Sequence, residues 1–541
     1  MTGGLMQLMG KGAQDTLLTG NPSFTHFKAV YKRHTEFAME HFRLYFRGKN
    51  LAIPPSGSIT LRTTIDRNAQ LLHDCYLSIT IPDIYSPLIA GSSPVKGYNF
   101  QWIPNLGYNL INYVSVLING SEIVRHTGEW MKLYAALTFD GNKKALLDEL
   151  IGNVPEIYDP ANAFGRINQY PHSISTSTNP AAPSIRGRVL TIPLHFWFCE
   201  HIGSALPLIA LQHSHVEIVV ELKSIYQLFT INGLATTNTT SMSTFLSPPI
   251  YGSPYAPVNP TLQLWDMSPF LECNYIFVSD AEMAHIAKSD HSFKITQIDL
   301  REAHGQYGPS NDLDLIMRNM CTRIVWVAQR NDRIIQNDYD NYTNWVNYKI
   351  PPILTTDTSS GIQQIPAITQ KDILLESVVV LDGKERFTPK QTEFFNHIQH
   401  YRHHSGTSIT QLPGIYTYSF ALDHGTHQPS GAINGSQFNK TILRNTYIQP
   451  PIGSQVGVQL PATQVCVLRS TLGSNNPTVV VNPNALDPLT GLRLYSPNDL
   501  ITIVQKTDAN TFTYTYNVRA YVESYNFVRV MGGVANVVFS S

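Results

Sequence analysis

The chain has 541 residues, more than one ordinary hydrophobic core can organise, which points to roughly two to four domains. Its formal net charge of −1 excludes electrostatic capture of bulk nucleic acid or of an anionic membrane. Only 14% of residues are charged, against roughly 25% in ordinary globular domains. Thr, Ser, Asn, Pro and Tyr fill the gap, a mix suited to strands joined by long polar loops and to subunit contacts that exclude charge.

Residues 1–50 read as an arm in which Lys28, Lys32, Arg33, Arg43, Arg47 and Lys49 outnumber Glu36 and Glu40. The excess is small, so a solvated arm is favoured over an acidic or nucleic-acid partner. Short β-like runs follow at 58–65, 75–82, 113–119, 188–198 and 215–222, where Val216, Ile218 and Val220 share one face as a half-buried strand requires. A second set begins with "NYIFV" at 274 and continues at 292–300, 322–329, 376–382, 414–422 and 516–530. Helical pattern is scarce, so the spacing predicts sandwiches or barrels. Between the runs lie stretches rich in Pro, Gly, Asn, Ser and Thr at 83–107, 139–187, 229–268, 351–370 and 446–498. The 229–268 stretch separates the two strand sets and is the expected boundary, and the others read as surface insertions.

One unit occurs twice. In "SVLINGSEIVRHTGEWMKLY" (115–134), a strand reaches Asn119-Gly120, a pair suited to the positive φ angles of a tight hairpin turn. Trp130, Leu133, Tyr134 and Leu137 then form one stripe of a short helix. "SVVVLDGKERFTPKQTEFF" (377–395) repeats the plan, with Asp382-Gly383 at the turn. There, Thr388-Pro389-Lys390-Gln391 predicts a helix start, with Phe394, Ile398 and Tyr401 as its stripe. Gly383 follows Gly120 by about half the chain, far beyond the roughly 20–50 residues of a solenoid repeat, which indicates a duplicated domain. Jelly rolls are the β-sandwich class that suits about eight strands per half.

Candidate chemistry is sparse. In "NHIQHYRHHSG", a helix would put His397, His400 and His404 on one face, as zinc binding requires. No carboxylate is spaced to orient them and H-E-x-x-H is absent, so a polar helix face is favoured. "HSH" (213–215) lacks the glutamate and distant histidine of a cupin metal site. Walker A and G-x-S-x-G motifs are missing. Cys75, Cys199, Cys273, Cys321 and Cys466 are widely spaced without a C-x-x-C pair, which fits a reducing compartment. The N-terminus does not read as a secretory signal, and no stretch approaches the roughly 18 apolar residues that cross a membrane. Sequons at Asn119, Asn238, Asn341, Asn434 and Asn439 are what an Asn/Thr-rich chain yields by chance; Asn238 is the most plausible as a surface site. No catalytic, cofactor-binding or metal-binding residue is assigned, and no cofactor is expected.

Several blocks together resemble a known family. They are "GGLMQLMGKGAQDTLLTGNPSFTHFKAVYKRHTEFAME" (3–40), "WIPNLGYNLINYVSVLINGSEIVRHTGEWMKLYAALT" (102–138), "IPLHFWFCEHIGSALPLIALQHSHVEIVVEL" (192–222), "YSFALDHGTHQPSGAIN" (418–434) and "YVESYNFVRVMGGVANVVFSS" (521–541). In this order they are similar to the major capsid proteins of the large nucleocytoplasmic DNA viruses, the double jelly-roll family. Asn68-Ala69-Gln70 departs from the family's frequent Gly-Asp pair, and the long insertions have no counterpart. The resemblance implies a homotrimeric, pseudo-hexagonal capsomer in an icosahedral shell of a virion assembled in the host cytoplasm. Its implied partners are neighbouring capsomers, minor capsid and penton proteins, and inner membrane proteins reached through the N-terminal arm. Sequence-specific nucleic-acid binding is not among them.

The fold class expected is all-β: two consecutive eight-stranded antiparallel jelly-roll β-sandwiches with long loop insertions and short helices. The expected domains are an inward-facing arm at 1–50, a first jelly roll at 51–228, a linker at 229–270 and a second jelly roll at 271–541. A structural, non-enzymatic coat protein is the primary reading. The alternatives are a less abundant capsid paralogue and a metal-dependent or carbohydrate-active double β-barrel enzyme built on the histidine cluster.

Overall fold

The computed structural model describes residues 2–48, 57–90, 96–174, 181–231, 242–249, 255, 265–331, 333, 337–345, 371–406, 412–448 and 515–539. The 351–370 stretch, nearly all of 446–498, Asn238 and Cys466 lie outside them.

The first half supplies β1 (Phe37–Tyr45), β2 (Ile59–Thr64), β3 (Leu71–Ile81), β4 (Ile111–Ile118), β5 (Ser121–Thr127), β6 (Arg188–Pro193), β7 (Val216–Leu222) and β8 (Phe270–Val278). They pair antiparallel as one sheet in the order β1-β8-β3-β6 and another in the order β2-β7-β4-β5. The second half supplies β9 (His291–Gln306), β10 (Asn311–Leu315), β11 (Met320–Arg330), β12 (Leu374–Leu381), β13 (Lys384–Glu385), β14 (Ile415–Ser419), β15 (Thr441–Tyr447) and β16 (Tyr516–Met531). Their order is β9-β16-β11-β14 facing β10-β15-β12-β13. Each of these strands thus recurs eight places later in the same neighbourhood. Short strands flank this frame beside β3, β11, β12 and β16. This is the double jelly-roll fold.

Burial explains the strand patterns. Val114, Val116 and Ile118 on β4 meet Val216, Ile218 and Val220 on β7 inside the first core. The second core gathers Ile324, Trp326, Leu443, Val518 and Val522. Strand β11 is apolar on both faces: Ile324, Trp326 and Ala328 point into its own sandwich, while Val325 and Val327 join a third cluster shared with the first half. Both hairpin turns need left-handed backbone, with φ of 51° and 80° at Asn119 and Gly120 and of 47° and 80° at Asp382 and Gly383.

Strand pairing redraws the expected domain edges. Phe37–Tyr45 is not part of an arm but the strand β1, paired with β8 along its length. Strand β8 holds the "NYIFV" run assigned to the second set, yet it closes the first sandwich between β1 and β3. A jelly roll pairs its first strand with its last, and here the last follows the long 229–268 connection. The 83–107 stretch is not only a surface insertion, since Phe100, Trp102 and Ile103 are almost fully buried in the first core. The 139–187 stretch contains a helix, Gly141–Ile151, capped where the Asp140 carboxylate accepts from the Lys143 amide at 2.8 Å.

The second-copy helix starts later than its local signals suggest. Lys390 and Gln391 pair with Ser377 and Glu376 on β12, so sheet hydrogen bonds override the capping motif at Thr388. A π-helical turn, Phe394–Ile398, then leads into α-helix Gln399–His403. Phe395 is the fully buried residue, while Ile398 and Tyr401 of the expected stripe are 45% and 91% exposed.

Candidate functional site

The most elaborate chemistry lies where the two sandwiches meet, and helix α1 (Gly128–Thr138) is its centre. Thr127 caps it, its hydroxyl oxygen accepting from the Trp130 amide at 3.0 Å. Gly128 is required by close approach: a Cβ there would collide with the carbonyl oxygens of Tyr108 and Ile111. Beyond this start the helix has two apolar faces. Met131 and Ala135 pack into the first core. Trp130, Leu133, Ala136 and Leu137 pack against Val325 and Val327 of β11, Ile415 of β14 and Tyr521 of β16. The Trp130 ring lies 5.4 Å from that of Tyr521.

Two ion pairs, one half-buried and one buried, fix the register of this contact. The Glu129 carboxylate accepts from Arg519 at 2.5 and 2.7 Å, from the Tyr521 hydroxyl at 2.5 Å and from the Tyr342 hydroxyl at 2.8 Å. Burial acts to raise its pKa, but the Arg519 guanidinium more than offsets this and holds it at about 2. Lys132 meets Asp340 at 2.5 Å with both side chains almost fully buried. Asp340 also accepts from the amides of Asn105 at 2.6 Å and Asn109 at 3.0 Å. Such pairs add little net stability over apolar packing, but breaking one strands its buried partner, so they favour a single docking geometry.

Beside the helix is a cavity of about 470 Å³ lined by His126, His195 and Glu200 of the first sandwich and Lys294, Arg323, His424 and Glu523 of the second. Glu523 accepts from Arg323 at 2.8 and 2.6 Å and from the Thr322 hydroxyl at 2.9 Å. His424 shares a 2.6 Å hydrogen bond with the Ser419 hydroxyl, and its ring stacks on His404 at 5.1 Å. His404 in turn meets His400 edge-on at 5.6 Å. Burial lowers the pKa of His126 to about 4 and those of His195, His400 and His424 to about 3. It raises Glu200 to about 7, with Glu523 adding to the effect.

The histidines singled out from sequence are therefore split. His400 and His404 turn inward toward His424, while His397 is exposed. A helical wheel could not anticipate this, because the π-turn resets the face and the third ring comes from another segment. Among the described residues, no three His, Cys, Asp or Glu side chains are grouped to hold a metal ion. In the "HSH" stretch the His213 amide donates to the Gly533 carbonyl at 3.0 Å, and the His215 amide to the Asn119 side chain at 2.9 Å. The Asn119 side chain is thus engaged by His215 and, at 3.1 Å, by the Ser214 hydroxyl, and Asn341 is fully buried. Cys75 and Cys273 face each other across β3 and β8 as thiols, 3.4 Å apart.

The Gly-Glu-Trp triplet was visible in the sequence, but its role was not. Its glutamate partner lies 390 positions away at Arg519.

Comparison with known proteins places this architecture. The model "Major capsid protein N-terminus" matches residues 25–278, and "Large eukaryotic DNA virus major capsid protein" matches residues 282–454. The chain is 28% identical to the major capsid protein of Phaeocystis pouchetii virus over 87% of this chain and 99% of that one. It is 24% identical to the major capsid protein of Paramecium bursaria Chlorella virus 1 across the whole of both chains. Among solved structures, it is similar to the quasi-atomic model of the PBCV-1 virus capsid, with a TM-score of 0.61 and 19% identity over 96% of this chain and 100% of that one. The Faustovirus major capsid protein gives a TM-score of 0.60 at 12% identity, over 97% and 96% of the two chains.

Proposed function

The chain belongs to the major capsid protein family of large eukaryotic DNA viruses, and from that premise we propose that it trimerises into pseudo-hexagonal capsomers that tile an icosahedral shell. Its relatives are structural proteins, not enzymes, and its task is geometric. Strand-for-strand recurrence of β1–β8 as β9–β16 carries this reading. Two like sandwiches per chain make a three-chain ring present six similar sides, so one gene product can fill a hexagonal lattice.

Residues 37–278 act as the first roll and residues 291–531 as the frame of the second, bridged by α1. The shell places this capsomer against its neighbours and against minor capsid and penton proteins. Residues 2–36 support a further contact: all are exposed, with Leu18 at 92% and Phe27 at 99%, so among the described residues none buries their apolar side chains. That segment faces inward and docks on minor capsid or inner membrane proteins. Buried thiols at Cys75, Cys273 and Cys321 suit assembly in the reducing host cytoplasm.

Analytical ultracentrifugation tests the assembly state. At micromolar concentration we expect a species of three 60.5 kDa chains, and a stable monomer would refute the proposal.

A further inference from the structure

Three cysteines that are far apart in the sequence converge in the first roll. Cys75 on β3 and Cys273 on β8 are direct partners in the antiparallel ladder, and their sulfurs lie 3.4 Å apart. Both are almost fully buried, at 1% and 0% exposure. Strand β3 is flanked on its other side by β6, where Tyr76 pairs with Pro193. Beyond β6 the chain stays beside β3. The Leu194 amide donates to the Cys75 carbonyl at 3.0 Å, and the helical turn Trp197–Glu200 follows. The His73 ring, which shares a 2.6 Å hydrogen bond with the Phe198 carbonyl, holds that turn in place. The Cys199 thiol donates to the His73 carbonyl at 3.3 Å and is a hydrogen-bonding neighbour of Cys75. Cys75 is therefore the middle thiol of three, with Cys273 from β8 and Cys199 from the turn as its partners.

The three differ in what reaches them. Cys75 and Cys273 belong to the first core, whereas Cys199 is half-buried and lines the cavity of about 470 Å³ between the rolls. Burial raises the pKa of the Cys75 thiol well above the ordinary range, and its two thiol neighbours add to the effect. A thiol held protonated in an apolar core does not react first. The pair thus has the right neighbours but no access, and the third thiol has access.

We propose that Cys75 and Cys273 are a latent cross-strand disulfide, oxidised by a peroxide that enters through Cys199. The Cys199 thiol takes one oxygen from hydrogen peroxide, giving a sulfenic acid and one water. The Cys75 sulfur attacks that sulfur, its proton leaves with the sulfenic oxygen as a second water, and a Cys75–Cys199 disulfide forms. Cys273 then attacks the Cys75 sulfur, its proton passes to the Cys199 sulfur, and Cys199 departs as a thiol. In sum, two thiols and one peroxide give one disulfide and two waters. The Cys75 and Cys273 sulfurs close by about 1.4 Å to reach bonding distance, a movement that side-chain torsions supply. The bond ties β3 to β8, the strand that completes the first roll, across 198 positions of sequence. A link over so long a loop constrains the unfolded chain strongly. The chain folds with free thiols, and later exposure to an oxidant locks the roll. This inference is independent of the trimer reading.

The test uses the full chain, reduced, freed of reductant, treated with hydrogen peroxide and then alkylated in denaturant. Peptide mapping by mass spectrometry should find Cys75 linked to Cys273, with the other three of the five cysteines alkylated. The oxidised protein should unfold at higher denaturant, its unfolded fraction at a fixed concentration falling at least about tenfold, and dithiothreitol should reverse the shift. Cys199→Ser should slow the linkage at least about tenfold with an unchanged circular-dichroism spectrum, because it removes the thiol that the oxidant reaches. Cys273→Ala should instead trap the Cys75–Cys199 disulfide. Five free thiols after treatment of the folded wild-type protein, or a Cys75–Cys199 link that persists in it, would overturn the latch. An undiminished rate in Cys199→Ser would overturn the route through Cys199.

Discussion

Burial keeps the histidines at the junction neutral, and that neutrality makes the folded chain sensitive to acid. His126, His195, His400 and His424 all have folded pKa values well below the ordinary 6.5, with burial as the leading cause. Arg323 adds repulsion at His400 and His424, as does Lys143 at His195. Glu523 opposes it weakly at His126 and His424. Between its folded value and 6.5, each such histidine binds a proton in the unfolded chain but not in the folded one. Its stabilising contribution is complete above pH 6.5 and is lost as pH falls toward 4 and then 3. Glu200 acts in the opposite sense, because its pKa is raised from 4.5 to about 7 and protonation there favours the fold. Asp338, raised by burial to about 6, acts in the same sense as Glu200, but four histidines outweigh these two acids, so unfolding free energy should fall as pH drops from 7 to 5. His126→Phe, which keeps a ring beside Phe196, should flatten that slope by about 1.4 kcal/mol per pH unit; an unchanged slope in denaturant titrations would count against it. At this scale the sequence was least informative. "NHIQHYRHHSG" displays its histidines openly, but their grouping with His424 and Arg323 depends on a π-turn and on strands far away in the chain.

Helix α1 was legible as an element, while its purpose was not. Its Trp130 and Leu137 stripe follows from helical spacing, and the Asn119-Gly120 and Asp382-Gly383 turns follow from backbone sterics. Local chemistry could not say whether the stripe packs on its own sandwich or on another. Local signals also misplaced the second helix, because pairing of Lys390 and Gln391 with β12 is a long-range term that a capping motif does not contain. The roles of β1 and β8 were hidden for the same reason: the first and last strands of a roll are neighbours in space and more than 200 residues apart in sequence. The helices make a contrast that can be measured. Glu129→Ala leaves the half-buried Arg519 without its partner and should cost about 2 kcal/mol in chemical unfolding, lowering the cooperativity between the two rolls. Glu393→Ala, at an exposed position where the second helix begins, should leave the unfolding of the chain within about 0.5 kcal/mol of wild type. Equal costs at the two sites would remove the distinction between a carboxylate engaged across the two rolls and one on the surface.

The whole molecule is a duplicated sandwich whose two copies have diverged in what covers them. Its low charge, unusual for a globular protein of this length, agrees with broad sides that face other subunits. Duplication was readable in the sequence from two hairpins and their following helices. The strand-for-strand match of β1–β8 with β9–β16 was not, because jelly-roll pairing is almost wholly non-local. The central claim is that this duplication lets three chains imitate a six-fold object. Single-particle electron microscopy of the purified protein tests it most directly. We expect particles with three-fold symmetry and a hexagonal outline of six similar lobes, two from each 60.5 kDa chain. Two-lobed monomers, or a closed assembly without three-fold symmetry, would contradict it.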